Sequence, residues 1–253
     1  MKNCLLFFLL LIFTPALHAQ DAELYHSALL LKSESKLEES LNIFRQLLKK
    51  DSSSVDYLWN TCFILCRLGN RQTGYAARLK FFHEAEYLAR KAVGIDAHNA
   101  NAHYAYALAL ARINEFASNK QKISNAKLLK NECDLALRLD PKHAGAYHIL
   151  GRWHRAVAGF NFMEKAMINA FFGGVPQGGS YKDAIDCLSK AVLLEPGYIY
   201  HKYELAVTYY ERDEKDDDIL CKIWCKKVLE MKPRDVDDVG TQEKAKVLLK
   251  KVE

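Results

Sequence analysis

Beyond residue 20, apolar side chains recur at steps of three and four residues. Leu37, Leu41, Phe44 and Leu48 share one helix face. Ala85, Leu88, Ala92 and Ile95 share another, and Ala184, Leu188, Ala191 and Leu194 a third. This is the period of amphipathic helices, not of strands. Turn signals interrupt the runs at Lys50-Asp51-Ser52, Ile95-Asp96-Ala97, Leu139-Asp140-Pro141, Glu195-Pro196-Gly197 and Lys232-Pro233-Arg234. Pro141, Pro176, Pro196 and Pro233 fall only at predicted helix ends or in a loop, where proline is tolerated. Ser35-x-x-Glu38 and Ser180-x-x-Asp183 read as capping boxes. Asp216-Asp217-Asp218 opens another helix, with Lys226, Lys227 and Lys232 near its end, as the helix dipole prefers.

The alternation of helices and turns predicts five helix-turn-helix units. Their first helices begin at Asp21, Val55, Ala100, Ala144 and Ile199. The eighth residue of each is small: Ala28, Cys62, Ala107, Gly151 and Ala206. This register resembles the tetratricopeptide repeat, a unit of about 34 residues whose two helices touch closely at that position. Measured against that period, roughly ten, ten and twenty extra residues fall between the helices of the second, third and fourth units. The expected fold is all-α: an α-solenoid of about five tetratricopeptide-like units, with an extra helix inserted in the fourth. Thr241 to Glu253 should cap the last apolar face, as solenoids require.

The N-terminus departs from this pattern. A charged start at Lys2, an apolar run from Cys4 to Phe13 and small Ala19 describe a secretory signal peptide. The run is shorter than the roughly 20 residues that span a bilayer. The expectation is therefore a signal peptide at 1–19 and one mature domain at 20–253. That domain would be exported to the periplasm or the extracellular space, with no transmembrane span after cleavage. Composition adds little: half the chain is apolar, 26% is charged and the net charge is +5. That excludes a disordered chain and a strongly basic nucleic-acid-binding domain. Six cysteines follow the leader, with Cys62/Cys66 and Cys221/Cys225 each four apart on helices. Such spacing suits core packing better than local bridging.

The third and fourth units carry a narrower likeness. Lys122-Ile123-Ser124-Asn125-Ala126 precedes a helix ending Ala136-Leu137-Arg138-Leu139-Asp140-Pro141. Leu150-Gly151-Arg152-Trp153 follows, then Ala158, Lys165, Ala170-Phe171-Phe172-Gly173, Pro176, Tyr181, Ala184 and Leu188. Over about residues 80–235 this resembles the regulator of microtubule dynamics family, which is tetratricopeptide-like. The resemblance implies an α-solenoid that binds partners, with no catalytic residues to carry over. It also implies microtubule association for animal members and membrane-anchored tethering for others. An exported chain would not meet tubulin.

No His-Glu-x-x-His, no Gly-rich loop ending Gly-Lys-Ser/Thr and no Gly-x-Ser-x-Gly elbow occurs. Gly173 to Ser180 is Gly-rich, but it follows a helix and ends without lysine, so it reads as an inter-helix loop. His148 and His154 are six apart and point to different helix faces, which argues against a metal site with His143. The expectation is a non-enzyme without cofactor or metal.

In tetratricopeptide arrays the fifth, ninth and twelfth residues of the first helices line a concave groove. Here the fifth positions are Tyr25, Trp59, Tyr104, His148 and Tyr203. The ninth include Phe63, Leu108, Arg152 and Val207, and the twelfth Arg155 and Tyr210. Aromatic and arginine side chains dominate binding hot spots, so these eleven residues form the candidate groove for a protein or peptide partner. Arg152 and Arg155, three apart on one face, could grip a carboxylate or phosphate. Some of the rings could equally pack between units. Trp153, Phe160, Phe162, Phe171 and Phe172 are core residues or, alternatively, the wall of a lipid pocket under the inserted helix.

Overall fold

The structure is a computed structural model and describes residues 19–253. The signal-peptide segment, apart from Ala19, and Cys4 lie outside the described residues. Among the described residues all regular structure is helical: twelve helices and no strand. The chain divides into two compact units, up to Ile95 and from Asp96 onward.

The first unit holds α1 (19–33), α2 (Leu37–Lys50), α3 (Val55–Arg71) and α4 (Tyr75–Ile95). Its core is built from Phe44, Leu47, Leu58, Ile64, Leu65 and Phe82, all essentially excluded from solvent. The second unit holds α5 (Ala100–Asn114), α6 (Asn119–Leu139), α7 (Ala144–Ala158), α8 (Phe162–Phe171), α9 (Tyr181–Leu194), α10 (Ile199–Arg212), α11 (Asp217–Glu230) and α12 (Val236–Leu249). Successive partners pack as pairs: α5 on α6, α7 on α9, α10 on α11, and α12 on α11.

Four of the five first helices begin at the predicted residue, and α1 is already helical from residue 19. The small eighth positions are the contact points. Ala28, Cys62, Ala107 and Ala206 are fully buried. A Cβ on Gly151 would come within 2.7 Å of Leu188 Cγ and 3.1 Å of the Ala184 carbonyl, so α7 and α9 meet as closely as backbone allows. The prolines mark ends as expected: Pro141, Pro196 and Pro233 follow α6, α9 and α11, and Pro176 lies in the α8–α9 loop.

Several details differ from the sequence pattern. The extra residues of the second and third predicted repeats do not form loops between helices. Only residues 72–74 and 115–118 separate α3 from α4 and α5 from α6; the surplus lengthens α4 and α6 to 21 residues each. In the fourth repeat the surplus does form a new helix, α8. Ser35 is not a cap. It takes the left-handed conformation at φ 61° and ends the α1 turn, while Lys36 stands at the N-cap of α2 without a side-chain capping bond. Ser180 does cap α9, accepting from Asp183 N at 3.0 Å. Two full capping boxes lie elsewhere, Ser118 with Gln121 on α6 and Asn161 with Glu164 on α8. The C-terminal capping helix starts at Val236, five residues before Thr241, because Asp235 accepts from both Asp237 N and Asp238 N. Gln242 of α12 then donates to the carbonyls of Val228 and Met231, supplying partners that the end of α11 lacks.

The six cysteines of the described chain are thiols. All are buried except Cys187, which is half-buried. Cys221 and Cys225 sit with Ile199, Ala206, Val228, Ala245 and Leu248 in the core of the last helices.

Candidate functional site

The predicted groove residues fall into four places. In the first unit, Tyr25 packs edge-on against Phe44 and beside Tyr57, joining α1, α2 and α3. Trp59 Nε1 donates to Asp56 at 3.0 Å. The Lys32 ammonium lies 4.6 Å from the Trp59 ring centre and 5.4 Å from that of Phe63, and it donates to Asn60 Oδ1. Burial lowers the Lys32 pKa to about 8, since the rings attract a cation but hydrate it poorly.

In the second unit, a cavity of about 490 Å³ opens between α5, α6 and α7. Leu108, His148, Arg152 and Arg155 line it, together with Trp153, Phe160, Arg112 and Lys122. Trp153 is locked in place by donating to the Ala126 carbonyl at 2.9 Å. Tyr104 stands at the other end of α5, its ring tilted at 44° and 4.5 Å from that of His143, the N-cap of α7. Tyr203, Val207 and Tyr210 of α10 line a second depression, against Lys244 and Val247 of α12 and Lys251 just beyond its end. Glu211 borders both hollows.

Arg152 and Arg155 already hold an anion, and it is internal. Glu204 of α10 is 3% exposed and lies between them. Its carboxylate is 2.7 Å from Arg155 Nη2 and 3.4 Å from Arg152 Nε. Arg155 also donates to the Glu204 carbonyl at 3.1 Å and pairs with Glu211 at 3.2 Å. Burial alone would push the Glu204 carboxyl up, but the two guanidinium groups outweigh it and hold it well below the usual carboxylate range. Arg155 is thereby committed to the fold. Arg152 is less so: a third of its side chain remains exposed, although its Nε is buried without a hydrogen-bond partner. Arg112 likewise has a buried, unpartnered Nε on the cavity wall, while its Nη1 reaches Glu115 at 3.3 Å.

His148 is buried below the cavity. Its Nδ1 lies 2.8 Å from Nδ1 of His201, whose Nε2 is 3.3 Å from Glu195. If His201 donates to Glu195, its Nδ1 must accept, so His148 donates from Nδ1 and both rings are neutral. Burial lowers the pKa of both rings, and His201 further lowers that of His148.

The sequence reading did not single out Glu204, Arg112 or Glu211. Glu204 sits next to buried Leu205 and Ala206 on α10, and a charge on such a stripe has to be paired. The partner could not be named, because Arg152 and Arg155 lie about fifty residues upstream. Among the described residues, no three His, Cys, Asp or Glu side chains converge as metal ligands. No described helix is long and apolar enough to cross a membrane.

The fold is shared with a thermophilic tetratricopeptide-repeat protein of Thermus thermophilus. That structure aligns at a TM-score of 0.63 over 90% of this chain and 99% of the other, at 14% identity. Two relatives are similar in sequence. Regulator of microtubule dynamics protein 2 of Homo sapiens is 25% identical over 186 residues, 73% of this chain and 45% of its own length. Regulator of microtubule dynamics protein 1 of Bos taurus is 25% identical over 204 residues, 79% of this chain and 63% of its own. The chain thus spans about half to two-thirds of these relatives. With a model of the family matching residues 24–253, nearly the whole described solenoid, the chain belongs to the regulator of microtubule dynamics protein 1-3 family.

Proposed function

We propose that the chain is a non-catalytic interaction scaffold and that the cavity between α5, α6 and α7 takes a partner segment pairing an apolar side chain with an acidic one. The observation that carries this reading is the cavity wall. Leu108, Ile149, Trp153 and Phe160 supply an apolar surface, and beside it Arg112 has a buried Nε without a hydrogen-bond partner while Arg152, paired through its Nε with Glu204, keeps a third of its side chain exposed. A buried donor of that kind favours a ligand that brings an acceptor. A segment leaving the cavity past Glu211 would meet Tyr203, Val207 and Tyr210.

The arginine pair is a poor target for testing this. Replacing Arg152 and Arg155 together would leave the Glu204 carboxylate buried without its partners and destabilise the fold. Ala156 is a better target, because it lines the cavity and is itself exposed. Ala156→Trp fills the mouth from outside. Peptides selected on the full chain should be apolar and acidic, and Ala156→Trp should weaken them at least tenfold at unchanged helicity. Unchanged affinity refutes the reading.

A second reading is a carrier for a lipid or another small hydrophobic ligand, favoured by the size and apolar lining of the same cavity. Stoichiometric lipid extracted from the purified chain, and missing from Ala156→Trp, would select it. An exported location belongs to the first reading and is supported by the leader-like pattern of residues 1–19. The names of the relatives concern microtubule dynamics. A microtubule role needs a cytosolic chain, so it and export exclude each other.

A further inference from the structure

The helix inserted in the fourth repeat is amphipathic in the wrong sense for a core. Nine of the ten residues of α8 are exposed, and only Ile168 is buried. At 100° per residue, Phe162, Met163, Ala166, Met167, Ala170 and Phe171 share the half of the helix facing away from Ile168. Their exposure is high: 85% for Phe162, 79% for Met163 and 74% for Phe171. Glu164, Lys165 and Asn169 fall on the other half. Local sequence nonetheless holds the helix firmly. The Asn161–Glu164 capping box starts it, and Gly174 N, donating to the Ile168 carbonyl at 3.3 Å, closes its end. Val175 N also donates to Asn169 Oδ1 at 2.9 Å. The apolar face is therefore displayed on a fixed ridge.

Basic residues predominate beside this ridge, although Lys130 is paired with Asp134 at 2.7 Å and Glu164 lies on α8 itself. Residues 119–131 of α6 contain Lys120, Lys122, Lys127 and Lys130 and no acidic residue. Lys127 Nζ donates to the Gly173 carbonyl at 2.7 Å, directly behind α8. Lys122 borders the cavity with Phe160 and Pro176, the residues that flank α8 in the chain. Lys165 adds a fifth cation from α8 itself.

We infer that α8 and the adjacent lysines of α6 form a docking surface for an anionic lipid bilayer. A convex ridge of Phe and Met has no groove in which to seat a peptide. It matches the interfacial layer of a membrane, where an amphipathic helix lies flat with its apolar face down. The lysines then lie at headgroup level and draw the ridge to anionic lipid. The inference does not depend on what the cavity binds.

The test uses the full chain with vesicles of phosphatidylcholine, with and without about 30% phosphatidylserine, an anionic fraction of the kind that attracts polybasic segments. Hydrogen exchange is read on the amides of residues 162–171, which separates this surface from any effect of residues 1–18. On anionic vesicles α8 should gain protection, and raising salt from about 0.1 M to about 0.5 M should reduce it. Phe162→Ser with Phe171→Ser should lower the vesicle-bound fraction at α8 at least tenfold. Both side chains are exposed, so helicity should not change. Lys120→Glu with Lys122→Glu should weaken docking while leaving the ridge intact. Equal protection on pure phosphatidylcholine overturns the inference, as does no protection on either vesicle. Protection that grows with protein concentration in the absence of lipid overturns it too, since that identifies a second copy as the occupant.

Discussion

Glu204 is held in the core by two guanidinium groups from another helix, and its removal should cost more than that of any surface charge. Deleting one member of a buried ion pair leaves the rest unpaired and destabilises by about 3–5 kcal/mol. Glu204→Ala should show a loss of that order in urea unfolding, and Glu204→Gln a smaller one, since an amide can still accept from Arg155. The histidine pair makes a separate prediction about pH. Burial lowers the pKa of His148 and His201 from the ordinary 6.5. The unfolded chain therefore binds more protons than the folded one below about pH 6.5, and stability falls as pH drops through that range. His148 faces His201, Glu204, Arg152 and Arg112, and His201 faces Glu195, Lys202 and Arg234. Glu195 moderates the effect by favouring a charged His201. The urea midpoint should drop between pH 7.5 and pH 5.5, and His148→Phe should flatten that drop. An equal drop in the variant would assign the effect to other groups. At this scale the small eighth positions were legible, because steric need restricts them to one residue class. The pairing of Glu204 was not, because it joins residues from separate repeats.

Helices were the most legible elements. Their starts follow turn residues and caps that act within three or four positions. Their lengths were less legible. Extra residues between turn signals can extend a helix or form a loop, and α4 and α6 show the first outcome. Both choices give the same count, and only continuous helical pairing tells them apart. Ser35 misled for a related reason: a serine three residues before a glutamate resembles a cap, yet the chain needed a left-handed residue there to end α1. The inserted helix was expected as an element. Its orientation was expected the wrong way round: Phe162 and Phe171 were expected in the core or a pocket wall, yet both are exposed, since a wheel shows which residues share a face but not which face meets the core.

Across the molecule, helices in each compact unit contact mainly those next to them in sequence. Stability in such arrays is close to a sum of local terms plus nearest-neighbour interfaces. The register of the solenoid could therefore be read from one sequence, whereas the two hollows could not, because each is walled by helices of different repeats or by the capping helix. Gln242 gives this arrangement an end. Its amide occupies carbonyls of α11 that would otherwise accept from another molecule, and α12 covers Val228 and Cys225. Without that cover the last pair of helices would offer a sticky apolar surface with open acceptors, and copies could join at it. A chain stopped after Arg234 should sediment as concentration-dependent assemblies, while the intact chain should not. The last helix would then be what keeps a repeating design from continuing into the next molecule.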